Sequence, residues 1–239
     1  MRRFRTLTRM AMHEMWISSR WIPVIGLPIL GGLVVIVLPP ELAGVSAVAG
    51  AGFSYAIAAC VAIAISSGLA AGTMAHERRR GTVAWMAVRA VPRSAVLLSW
   101  FVAFGILLTT GMALGSLGAW LAAIARAESA PDFGPFAAAV AATDAASLAT
   151  VAAGLLIGTF LRIWPATLVA LALAAAVLTV AVAGPLAGVP LPTGGIGLLA
   201  HLDTAARPIS SALQSAGAAL ATAAVLLVLA GVGLERADL

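Results

Sequence analysis

The sequence predicts an all-α, polytopic membrane protein with six transmembrane helices, an amphipathic interfacial helix at the N-terminus, and both termini cytoplasmic. Three observations lead there. Of 239 residues, 62% are hydrophobic and 10% charged, and 24 glycines bring the apolar-plus-glycine share to about 72%. Soluble domains hold roughly 45–50%, and no soluble chain of this length could hide so much apolar surface. Second, the apolar residues gather into six runs of bilayer-crossing length. Third, all 14 basic residues are Arg, with no Lys, and they cluster between or beside those runs.

The six expected spans are Trp21–Leu38, Ser46–Ala75, Ala95–Ile124, Pro135–Leu161, Pro165–Ala183 and Leu213–Leu234. They leave one short arm (1–20), one basic loop (76–93) and one longer loop (184–211), so the chain 1–239 is expected to form a single transmembrane domain. With six spans, twelve Arg fall on the side of the termini and two, Arg126 and Arg207, on the other. The positive-inside rule makes the first side cytoplasmic. The high pI of about 11.2 then reflects membrane orientation and attraction to anionic lipids, not nucleic-acid binding.

The arm places Phe4, Leu7, Ala11 and Met15 on one helical face and Arg2, Arg5 and Arg9 on the other, the pattern of a helix lying on a membrane surface. The first span is short and carries Pro23 and Pro28 before Pro39-Pro40. The second and third, at 30 residues each, reach about 45 Å, beyond a hydrocarbon core of about 30 Å, so they tilt, kink or project. Between them runs HERRRGTVAWMAVRAVPRS: Glu77 ends a helix, Gly81 offers a turn, and Trp85 and Met86 form an apolar patch suited to docking another protein.

The fourth span contains Asp144, the only carboxylate well inside an apolar run. At membrane depth such a group points to function, sharing a face with Ser147 toward a pathway or partner. The blander expectation is that the span starts near Ala145, leaving Asp144 at its wet outer end. Pro165 suits the first turn of the fifth span. The loop 184–211 is too apolar for an ordinary connection and is expected to form a re-entrant gate, with His201 and Asp203 in it or on its rim. Four Gly-x-x-x-Gly pairs (Gly68/Gly72, Gly111/Gly115, Gly154/Gly158, Gly184/Gly188) speak for tight helix packing in general and identify no dimer face.

Composition also narrows the chemistry. Without Lys there is no phosphate-binding loop lysine and no Schiff-base amine, and the single Cys60 excludes an internal disulfide. No H-E-x-x-H stretch, Asp-rich phosphotransfer motif or Ser–His pair at matching depth occurs, so an enzyme is not expected. No catalytic, cofactor or metal residue is assigned. Asp144 leaves open an ion-coupled transporter, and a membrane scaffold is the remaining class.

The order Glu77-Arg78-x-x-Gly81-Thr82, followed by Pro92-Arg93-Ser94 and a new span, resembles the permeases of the type-2 ATP-binding-cassette transporter family. The resemblance implies a six-span exporter permease that pairs with a second permease subunit and couples to separate cytoplasmic ATPase subunits, which hold ATP and Mg2+. It assigns ATPase coupling to Glu77, Arg78, Gly81 and Thr82, with Trp85 and Met86 as packing contacts, in the plasma membrane of a bacterium. Val83, Ala84 and Trp85 stand where such permeases often carry Leu-Glu-Leu, and Ser99-Trp100 where they often carry Gly-Lys.

Overall fold

A computed structural model describes residues 2–37, 46–81, 92–127, 132–183, 191–205 and 207–236. They are helical throughout, with no strand: α1 (Arg2–Ile17), α2 (Trp21–Val37), α3 (Ala47–Arg79), α4 (Arg93–Arg126), α5 (Phe133–Phe160), α6 (Ile163–Ala183), α7 (Gly194–Ala200), a 3-10 turn (Leu202–Thr204) and α8 (Pro208–Arg236). Five of these, α3, α4, α5, α6 and α8, are long and apolar enough to cross a membrane. The expected first span is a shorter helix: the 17 residues of α2 rise about 25 Å. It makes a sixth crossing only when taken with α1, from which it is bent by 73°.

The boundaries of the expected spans move outward. The helix through the second span runs on past Ala75 to Arg79, and the third begins at Arg93. The basic loop expected over 76–93 is therefore shorter, because His76–Arg79 form the last turn of α3. The fourth helix starts at Phe133, capped by Asp132, whose Oδ1 accepts the Gly134 N–H at 2.9 Å. An Ala-rich run with few β-branched residues has nothing to stop it once capped.

The bundle is built around α3 and α5. α3 touches α2, α4, α5, α6 and α7; α5 packs chiefly on α8, and α2 lies along α4. The glycine pairs serve these contacts inside the chain. Gly111 and Gly115 meet the α2 backbone at Ile25 and Pro28, Gly154 and Gly158 meet α3 at Ser67 and Ala71, and Gly68 and Gly72 meet α6 at Thr167. The fourth pair, Gly184/Gly188, lies outside the described residues. Close backbone approach substitutes here for the hydrophobic drive that lipid does not supply. Tyr55, fully buried, adds a polar tie by donating its hydroxyl to the Met112 carbonyl at 2.8 Å.

The outward faces are apolar: Leu30 and Leu33 on α2, Ile106 and Leu117 on α4, Leu168 and Leu173 on α6, and Leu220 and Val228 on α8 are each about half exposed or more. A belt of this kind requires lipid as its solvent. The chain is a multi-pass membrane protein.

Candidate functional site

At the arginine-rich end, α1 lies across the bundle. It buries Ala11 and Met15 in the same core cluster as Trp100, leaves Leu7 half-buried, and exposes Arg5 and Arg9. Phe4, expected on the apolar face, is exposed. The corner into α2 turns at Ser19, which has a left-handed φ of 57°, and Trp16 stacks on Trp21 with ring centroids 4.5 Å apart. From this corner Arg20 Nη1 donates to Thr73 Oγ1 at 3.0 Å, and Glu14 stands 3.9 Å from Arg80. The latter pair is exposed and adds little stability.

Glu77 occupies the α3 face shared by Thr73 and Arg80, beneath that corner. It is only 8% exposed and has no hydrogen-bond or ion-pair partner among the described residues. The residue is largely covered, but its carboxylate oxygens are not among the fully buried unpaired polar atoms, so the charge keeps contact with solvent. Arg78 turns away toward α5, where its Nη1 donates to the Gly158 carbonyl at 3.3 Å while its Nε is buried without a partner. α3 ends through Gly81, whose φ of 69° is left-handed and whose N–H bonds to the Arg78 carbonyl at 3.1 Å. Thr82, Trp85 and Met86 lie outside the described residues.

Asp144 stands nearly midway along the 28-residue α5. The helix that starts at Phe133 passes through Asp144 unbroken, so no helix boundary falls near Ala145. The carboxylate leans toward the middle of α4, where Thr109 Oγ1 lies 2.9 and 3.1 Å from its two oxygens. Ser147 Oγ is 3.4 Å from Oδ1 but only 2.6 Å from the Asp144 carbonyl, which takes its proton. A carboxylate offers about four acceptor positions; one threonine proton leaves most of them unmet. Asp144 is half-buried and Thr109 and Thr110 are exposed, so this polar group opens outward from the bundle at mid-depth.

The opposite end is closed. α7 inserts between the helices: Ile196 and Leu199 are fully buried, and Gly195 lies against the α5 backbone at Ala142–Thr143. Residues 191–205 of the expected gate are thus packed against the bundle, 207–211 lead into α8, and 184–190 and 206 lie outside the described residues. Asp203 accepts both the Ser46 N–H (3.0 Å) and the Ser46 hydroxyl (2.8 Å), while Ser46 Oγ caps α3 by accepting from Ala49 at 3.2 Å. His201 Nε2 lies 2.9 Å from the Val182 carbonyl. Among the described residues no three His, Cys, Asp or Glu side chains cluster as metal ligands.

Sequence reasoning missed the partners. Thr109 carries no local signal linking it to a residue on another helix. The arginines that close helix ends did have one, basic residues near helix termini. Arg126 donates to the Val35 and Ile36 carbonyls at the end of α2, and Arg93 to those of Leu234 and Glu235 at the end of α8. No protein-family model matches the chain, and comparison with curated proteins gives no match.

Proposed function

We propose that the chain is the membrane-spanning permease subunit of an ATP-binding-cassette exporter, forming half of a translocation pathway completed by a second permease subunit. Separate ATPase subunits would hold ATP and Mg2+ and perform hydrolysis; this chain carries no catalytic role. The orientation that goes with this reading puts both termini and the arginine-rich end in the cytoplasm of a bacterium, across its plasma membrane.

The observation that carries the reading is the pair of helices flanking residues 80–92. α3 and α4 have 33 and 34 residues, about 50 Å each, against a hydrocarbon core of about 30 Å. Two unbroken helices that overshoot the bilayer make a stiff lever, and Glu77 sits near its end, largely covered and with no partner among the described residues. That supports the coupling role which the Glu77-Arg78-x-x-Gly81-Thr82 resemblance assigns. Closure of the ATPase pair would push on the 80–92 connection, and α3 would carry the tilt into the bundle, with Arg78 bracing it against α5. Asp144 and Thr109, facing out at mid-depth, supply a surface that a second subunit or a wet pathway would cover.

Glu77→Gln keeps the side-chain shape and removes the charge. Co-purified ATPase activity in this variant should lose its stimulation by transport, while the permease still folds. Stimulation equal to that of the unaltered chain would overturn the coupling role. A second reading is favoured by Asp144 alone: an ion-coupled transporter using that carboxylate. Under it, Asp144→Asn abolishes transport that survives ATP depletion and follows the proton gradient; transport that stops on ATP depletion excludes it.

A further inference from the structure

Two cavities meet at the arginine-rich end, on the flank away from α1. One, of about 630 Å³, is lined by Arg78, Arg79 and Arg162 beside Phe160 and Ile163. The other, of about 510 Å³, is an apolar groove along Leu156, Phe160, Leu229 and Val232, headed by Arg78 and Arg236. Arg78 and Phe160 belong to both. We infer that these joined cavities bind one anionic phospholipid, its phosphodiester among Arg78, Arg79 and Arg162 and an acyl chain in the groove between α5 and α8.

Four observations bear on this. None of Arg78, Arg79, Arg162 and Arg236 has a carboxylate within ion-pair distance among the described residues, and the buried Arg78 Nε lacks an acceptor. A phosphodiester would pair with guanidinium groups that no described carboxylate neutralises. Arg162 immediately precedes α6, and Arg162 and Ile163, at the positive dipole end of that helix, both line the same cavity. Gly233 lets the tip of the Phe160 ring approach α8, because a Cβ there would lie 2.7 Å from it, and this shapes the groove wall. Finally, the groove runs into the exposed apolar face of α8 at Val225 and Val228, where the rest of a lipid chain would continue. A free phosphate would use the arginines and leave the groove without purpose. The inference does not rest on the permease reading.

The test is native mass spectrometry of the full chain in detergent with dioleoyl phosphatidylglycerol or dioleoyl phosphatidylcholine added. One phosphatidylglycerol should be retained at least about tenfold over phosphatidylcholine. Arg79 and Arg162 are exposed, so the double variant Arg79→Gln/Arg162→Gln should keep its unfolding temperature yet lose most of that preference. Arg5→Gln/Arg9→Gln, which removes equal charge from α1 at the same end, should keep it. Equal retention of the two lipids, or equal loss in both double variants, would overturn the site in favour of general surface charge. Displacement of the lipid by 10 mM inorganic phosphate that itself remains bound would overturn the lipid assignment in favour of a free anion.

Discussion

The two ends of this bundle solve the same problem differently. Both gather helix termini, with their unpaired carbonyls and N–H groups, and both use arginine to meet some of them. At the end closed by α7, polar groups pair off: Asp203 with Ser46, His201 with Val182, Arg126 with the last carbonyls of α2. At the arginine-rich end the pairing is incomplete. Glu77 is buried without a described partner, Arg78 Nε is orphaned, and two cavities open beside it. Buried polar groups left unmatched cost stability; of the two such side-chain atoms among the described residues, Arg78 Nε lies at this end and Ser66 Oγ lies within α3. The sealed end holds the fold; the unsealed end has unmet donors and acceptors to offer a ligand or partner.

Substitutions at the two ends should therefore differ in size. The largest effect is expected at the closed end from Gly195→Val, whose side chain would collide with the α5 backbone at Ala142–Thr143. Overpacking of this kind costs about 3 kcal/mol, read as a lowered unfolding midpoint in detergent. A midpoint unmoved from that of the unaltered protein would mean α7 is not a packed cap. Asp203→Ala removes both bonds to Ser46 and should cost about 1 kcal/mol, the exposure of the pair limiting its worth. Combined with Ser46→Ala it should add less than the sum of the two singles; full additivity would show that the two side chains act independently.

At the other end, Gly81→Ala forces a side chain into a left-handed φ of 69° and should cost about 1 kcal/mol or slightly less, because no neighbouring atom crowds the position. Glu77→Gln should be the smallest in stability, within about 0.5 kcal/mol, since it removes a charge that has no described partner but still reaches solvent. A clear loss of stability there would erase the contrast between the ends.

Much of the fold was legible in the residues. Long apolar runs read as helices, the arginines marked one end, and Gly81 marked a turn, whereas Ala11 and Met15, expected to face a membrane surface, pack into the bundle core. Misreadings came where length had to be judged from hydropathy. The last turn of α3 carries His76, Glu77, Arg78 and Arg79, polar residues that ended the apolar run before the helix itself ended. Asp144 likewise marks no helix end, since an alanine-rich helix passes through it. The short α2 reads as a span by composition, but its length and the 73° bend depend on how α1 docks.

The sequence by itself determined the solvent, the helical class, and the end to which the positive charge goes, because each depends on transfer free energy and local propensity summed over neighbouring residues. Only the tertiary structure decided which groups meet. Asp144 finds Thr109 across 35 residues and Ser46 finds Asp203 across 157, while Arg78 splits its attention between the α5 terminus and an open cavity. Those meetings follow from helix crossings set by glycine and alanine contacts, where backbones approach closely enough to choose one partner. No single segment carries that information, since a contact belongs to two surfaces at once.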